Sequence, residues 1–261
     1  MALSQRSRRV AMIGSKVFWI CLVVGWSIPA VGDRADAVQR ETQEEKESRL
    51  KQQAKGGLFQ RWAFDQDPLN QTPAGFLEMA VGKGRPVAWT VQTSMNAPSP
   101  PNVVAVSADC GVGPCYHLLI AKGLNYEYPD LSVRFRGSQG IGGIVFGVRD
   151  SENFYATVVD LATSTARVIR MMEGNEQVLA QTSVSLKNTE WHSLRAQRNT
   201  IISKDFIEMF VDGVLVLSVE DQTLGLGQVG LVAGGKASLS FDIFHAAPLF
   251  SHRPLSPPPA Y

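Results

Sequence analysis

The chain has 261 residues, with 25 lysines and arginines against 24 aspartates and glutamates, for a formal charge of +1. That balance argues against a nucleic-acid binder, which carries a basic excess to displace phosphate counterions. Hydrophobic residues make up 44% and charged residues 19%, a globular composition, and the length suits one large β domain with appendages or at most two domains.

At the N-terminus, Arg6, Arg8, Arg9 and Lys16 precede an apolar run from Val17 to Ile28 and then Pro29. This is the layout of a secretory signal peptide, because the run falls short of the ~20 residues of a comfortable membrane span. Small residues mark two exits, after Gly32 and after Ala37. Residues 1–37 are therefore expected to direct export to the periplasm or the outside. The alternative is an uncleaved anchor seated by Trp19 and Trp26, and only that form would touch a membrane. Cleavage after Ala37 removes Arg6, Arg8, Arg9, Lys16 and Arg34 with Asp33 and Asp36, which turns +1 into about −2 and strengthens the case against nucleic acid.

Residues 38–57 are nearly all charges and glutamines. Glu45/Arg49 and Glu47/Lys51 sit four apart in the favourable order, worth about 0.3–0.5 kcal/mol each to a helix. No apolar stripe accompanies them, so the segment reads as a solvated helical spacer. From residue 58 to 248 the pattern is β, and the tail 249–261, rich in proline, reads as extended.

Within the β region Leu131-Ser132-Val133-Arg134-Phe135-Arg136 alternates strictly, as on a sheet with one wet face. Further strands are expected at 143–148, 154–160, 167–172, 191–197, 207–211, 214–219, 228–233 and 239–244. Asp212-Gly213 between two apolar runs is a type I′ hairpin signal. Ala97 to Asn102, with three prolines, reads as a surface loop. Many short strands without amphipathic helices mean an all-β sandwich or barrel. Removal of Cys21 with the export segment leaves Cys110 and Cys115 in CGVGPC as the remaining pair. An oxidising compartment favours a disulfide between them. A dithiol oxidoreductase would want two intervening residues rather than four, and zinc would want further thiols or histidines.

In order, FDQDPLNQTPAGF (64–76), WTV (89–91), APSPPNVVA (97–105), DLSVRFR (130–136), GGIVFGVRDSENFY (142–155), WHSLRAQ (191–197), EMFVDGVLVLSVEDQT (208–223) and GQVGLVAGGKASLSFDIF (227–244) follow one another. They resemble secreted bacterial concanavalin A-like, laminin-G-like domains, and in particular the set related to the 3-keto-disaccharide hydrolase (3-keto-glycoside lyase/hydratase) domain. The resemblance implies a concanavalin A-like jelly-roll sandwich of two antiparallel sheets over 58–248. It also marks departures. Phe146, Gly147 and Val148 stand where related sequences carry tryptophan, arginine and tyrosine, Val232 stands where they carry tryptophan, and Ile169-Arg170 stands where they carry tyrosine and lysine.

Function is harder to read. The paired carboxylates of a laminarinase-type glycosidase, at alternate strand positions about 5 Å apart, are missing. Glu208 and Asp212 are separated by the hairpin, where Asp212 serves the turn. The histidines are scattered and no serine occupies a nucleophile elbow. Asp150 and Glu152, with Asp242, offer oxygens for Ca²⁺, which takes ligands at about 2.3–2.6 Å; Asp-Ser-Glu-Asn is also ordinary turn composition. For sugar, Arg134, Arg136, Arg149, Tyr155, Arg167 and Arg170 are the candidate contacts on an open sheet face, with solubility of that face as the plain alternative. Trp62, Trp89 and Trp191 are expected as core anchors. The expected function is a non-catalytic module for a glycan or cell-envelope polysaccharide. The competing readings are a 3-keto-glycoside hydrolase or lyase, with Asp150, Glu152 or Asp160 as base, and a structural envelope module.

Overall fold

The computed structural model describes residues 59–82, 87–110, 115–187 and 189–249. The expected export signal and spacer, and the expected tail beyond Leu249, lie outside them. Among the described residues thirteen strands form: β1 (Gln60–Trp62), β2 (Phe76–Gly82), β3 (Trp89–Thr93), β4 (Asn102–Asp109), β5 (Cys115–Tyr126), β6 (Pro129–Asp150) and β7 (Asn153–Asp160). They are followed by β8 (Thr165–Met172), β9 (Asn175–Ser183), β10 (His192–Ile201), β11 (Lys204–Val211), β12 (Val214–Glu220) and β13 (Gly227–Pro248).

The pairings are antiparallel and resolve into two sheets. The first runs β12-β11-β10-β6-β13-β4-β3, with β1 also on β13. The second runs β9-β8-β7-β6-β13-β5-β2. Two strands of 22 residues, β6 and β13, belong to both. The first half of β6 pairs with β10 and its second half with β7, while β13 pairs alongside over its length. The chain is thus a concanavalin A-like jelly-roll sandwich, as the sequence predicts.

The expected strands 131–136 and 143–148 are one strand, and so are 228–233 and 239–244. The glycine-rich stretches between them are bends rather than breaks. Gly140 has φ +96° and a Cβ there would lie 2.4 Å from Ala237 Cα. The ladder between β6 and β13 shifts register between Gly234 and Ser238, so the two long strands bend together and pass from one sheet into the other.

Strand composition decides what each face does. Alternation in Leu131 to Arg136 sends Leu131, Val133 and Phe135 into the core between the sheets and Ser132, Arg134 and Arg136 outward. Trp89 lies on Phe241 at 5.5 Å, and Trp62 stacks on Phe244 at 5.2 Å. Burial of each such side chain contributes about 1.5–3 kcal/mol. The second sheet is different. Its central strands β5, late β6 and β7 carry unbroken buried runs, and Phe154-Tyr155-Ala156-Thr157-Val158-Val159 is buried on both sides. Leu118, Ile120, Val145, Phe154, Ala156, Val158, Ile169 and Val232 form a second apolar cluster, all drawn from this one sheet. The second sheet is therefore largely apolar on both faces at its centre, and the first is apolar inside and polar outside.

A polar groove on the outer face of the first sheet

Where β6 and β13 bend, the outer face of the first sheet sinks into a groove of about 360 Å³. Register explains its shape. Ser240 on β13 stands between Arg136 on β6 and Ala105 on β4, and Ser238 stands beside Ser107. Short side chains thus pave the floor. Arg136, Ser138 and Thr189 rise on one side and Gln92 of β3 on the other. Gly137 is required beneath them, because a Cβ there would lie 2.4 Å from Leu239 Cδ2 and 2.9 Å from the Ser238 carbonyl. The wall is fixed by the Thr189 N–H donating to the Gly137 carbonyl at 3.1 Å and by Trp191 Nε1 donating to the Asn96 carbonyl at 2.7 Å. The Arg136 guanidinium lies over the Trp191 ring at 4.9 Å, and Arg134 Nη2 donates to the Trp191 carbonyl at 3.3 Å. Hydroxyls, an amide and a guanidinium backed by an indole therefore converge on one concave patch, polar groups of the kind that recognise polyols.

The six arginine and tyrosine candidates do not share one face. Arg134 and Arg136 alone are on this one. Arg149 is exposed at the end of β6. Arg167 points with Ile169 and Met171 to the far face of the second sheet, 3.9 Å from Glu176. Tyr155 and Arg170 point inward. The Tyr155 hydroxyl donates to Asp221 and accepts from Leu224 N–H at 2.9 Å, while Arg170 pairs with the same Asp221 and with Gln177 at 2.6 Å. Burial, then the Asp221 bond, pushes the Tyr155 phenol up to about 12. The alternation of β7 and β8 with their neighbours sets these directions, and the apolar character of both faces hid it in the sequence. Trp191 is not a core anchor: it is partly buried and backs Arg136 behind the groove, whereas Trp89 and Trp62 anchor the core as expected. Gln92, Ser107, Ser138, Thr189 and Ser240 went unmarked in the sequence, because single polar residues on separate strands make a site only once register is known.

The carboxylate candidates are dispersed. Asp242 stands opposite Arg134 in the first sheet, whereas Asp150 is at the far end of β6. Sixteen residues of strand at about 3.3 Å each separate these levels, so Asp150, Glu152 and Asp242 cannot share a Ca²⁺. Asp150 accepts from Glu152 N–H at 2.8 Å and from Asn153 Nδ2 at 2.9 Å in the β6–β7 turn. Those bonds, the Asn153 one first, hold its carboxyl below the usual range, the wrong direction for a base. Asp160 likewise accepts from Ala162 and Thr163 N–H in its own turn, at 3.0 and 3.3 Å. Asp242 is fully buried and accepts from Ser99 and Ile243 N–H, both at 2.7 Å. Burial raises its carboxyl above the usual range. Asp212 has φ 48° and Gly213 φ 81°, joining Val211 to Val214 in the expected two-residue turn. Cys110 and Cys115 are disulfide-bonded, with His117 Nε2 4.0 and 3.8 Å from their sulfurs.

No family model matches the chain, and no curated protein does. Solved structures do. A carbohydrate-binding module of type CBM66 from Bacillus subtilis is 16% identical, with a TM-score of 0.51 over 69% of this chain and 99% of that one. Lectin II from Ulex europaeus is 7% identical at 0.45, covering 73% and 98%. The Ca²⁺-bound exoplasmic/lumenal domain of VIP36 is 11% identical at 0.48, covering 76% and 92%. At 16% identity the likeness to the carbohydrate-binding module speaks to architecture alone, and it agrees with the two sheets traced above: the chain has a concanavalin A-like jelly-roll fold.

Proposed function

We propose that this chain is an exported, non-catalytic recognition domain that binds a glycan or cell-envelope polysaccharide in the groove on the outer face of the first sheet. The observation that carries the reading is the groove itself, paved by Ser238, Ser240 and Ala105 and walled by Arg136 on Trp191 and by Gln92. A sugar presents a dense set of hydroxyls, and this patch offers hydroxyl, amide and guanidinium partners for them. The far face of the second sheet is largely apolar and buried, and its Arg167 faces Glu176, so it offers ring hydroxyls few partners. The signal-peptide layout and a fold shared with a carbohydrate-binding module support the same reading.

A glycan and polysaccharide panel with the full chain tests it. Binding should fall at least tenfold for Trp191→Ala and for Arg136→Ala, and stay unchanged for Arg149→Ala at the exposed hairpin. No binding to any polymer, or groove variants that bind as the wild type does, overturns it. The 3-keto-glycoside hydrolase or lyase reading rests on the sequence resemblance. Release of glucose from a 3-keto-disaccharide, lost in Glu152→Gln, would establish it instead.

A further inference from the structure

We infer that the groove selects a carboxylate-bearing sugar, a uronic acid within a polysaccharide; the inference rests on the glycan-binding reading above. Arg136 is the one charged residue in the groove lining among the described residues, and no carboxylate lines it with Arg136. Four other strand arginines are neutralised within the domain. Arg195 forks onto Asp130 at 2.8 and 2.6 Å, Arg198 holds Asp205 at 2.6 Å, Arg170 holds Asp221, and Arg167 faces Glu176. Among the described residues Arg136 has only the Trp191 ring as a partner, and its neighbour Arg134 has the Trp191 carbonyl. The nearest carboxylate by register, Asp242 opposite Arg134, is fully buried and holds two backbone N–H groups.

A guanidinium resting against an indole keeps its plane fixed and its N–H edge free. That edge matches the two oxygens of a carboxylate and forms two parallel charge-assisted bonds. Around it the Ser138, Ser240 and Thr189 hydroxyls and the Gln92 amide suit ring hydroxyls beside the acid group. A neutral sugar would leave the guanidinium without its matching acceptor, so the discrimination comes from one unpaired cation in an otherwise uncharged groove. A sulfate ester is the other anion a guanidinium accepts. Two of its oxygens also fit the fork, but as the anion of a much stronger acid it is the weaker acceptor, which favours the carboxylate.

Titration calorimetry of the full chain with polygalacturonate, alginate, fully methyl-esterified polygalacturonate and dextran sulfate at fixed ionic strength reads this directly. At least one of the two uronate polymers should bind, and for polygalacturonate esterification should weaken binding at least tenfold. Arg136→Gln should remove the preference for the acid form, and Arg136→Lys, which keeps the charge but loses the fork, should retain only part of it. Thermal unfolding midpoints equal to wild type confirm that these variants fold. If esterified and acid forms bind equally and Trp191→Ala weakens both, the carboxylate inference fails while glycan binding stands. Binding of dextran sulfate alone overturns the carboxylate in favour of a sulfate ester. If none of the four binds, the inference fails, and absence of binding across the wider panel takes the glycan reading with it.

Discussion

Tyr155 and Arg170 are sugar contacts in the sequence reading and a structural latch in the fold, and one substitution series separates the two. Asp221, at the end of β12, accepts from the Tyr155 hydroxyl, from Arg170 and from Thr223 N–H at 2.9 Å. The Asp221 and Arg170 side chains are 9% and 19% exposed. Asp221→Ala leaves the Tyr155 hydroxyl without an acceptor, at about 1–3 kcal/mol, and strands a mostly buried guanidinium, for which removal of one partner costs about 3–5 kcal/mol when burial is complete. Arg170 keeps Gln177 and some solvent, so the total should be about 3 kcal/mol, or a fall of roughly 6–12 °C in unfolding midpoint for a domain of this size. Tyr155→Phe orphans Leu224 N–H and takes one of two donors from an Asp221 oxygen that keeps Thr223 N–H, and should cost about 1–2 kcal/mol. Because both variants break the same bond, the double variant should fall short of the sum by about 1 kcal/mol. Urea unfolding followed by tryptophan fluorescence measures the cycle, and Tyr155→Phe should bind any glycan ligand as the wild type does. Additive costs, or a Tyr155→Phe protein of normal stability that has lost binding, would refute the latch.

Three further outcomes follow from single features. Reduction of the Cys110–Cys115 disulfide opens a loop of six residues, for which chain entropy gives about 2 kcal/mol; thermal scans with and without a phosphine reductant should differ by roughly 4–8 °C. Burial opposes ionisation of Asp212, but Ser193 N–H at 2.8 Å and His192 Nδ1 at 2.7 Å donate to it and hold its carboxyl below the usual range. The stability it contributes is present above its unfolded value of about 3.9 and is lost as pH falls through the lower folded value. Asp212→Asn should therefore flatten the acid limb of a plot of urea midpoint against pH, and an unchanged limb would discount the interaction. Gly230 lies where a Cβ would sit 2.1 Å from the Leu119 carbonyl oxygen, so Gly230→Ala should cost at least about 1–3 kcal/mol through forced separation of β13 from β5, read by the same urea unfolding.

Much of the fold is legible in the sequence for a definite reason. Strict alternation in Leu131 to Arg136 states that one face is wet, and Asp212-Gly213 states where the hairpin turns; both are local. The continuity of β6 and β13 is not local. A glycine that breaks a strand and a glycine that lets it bend look alike until the second strand is seen bending beside it, as Gly140 does against Ala237. The site is less legible still. Arg136 is marked by its place in an alternating strand, but Gln92, Ser107 and Ser240 come from three strands whose only relation is register. Tyr155 misleads because aromatic character in a strand is compatible with either face.

The departures from related sequences gain a physical meaning once the faces are known. Val148, Ile169 and Val232, standing where those sequences carry polar or aromatic groups, all belong to the apolar cluster on the far face of the second sheet, and Phe146 turns inward onto Tyr155 at 5.4 Å. Such replacements exchange hydrogen-bonding groups for side chains that gain free energy by leaving water. A face built this way favours apolar burial over sugar contacts. The first sheet moves in the opposite sense, with serines, an amide and an unneutralised arginine held outward at the bend of its two longest strands. A strand cannot serve both ends with one pattern, and β6 changes from alternating to continuously apolar at the glycines where it leaves the first sheet for the second. The same residues that bend the sandwich therefore separate an open polar face, fit for recognition, from a sheet whose apolar side chains are buried on both sides.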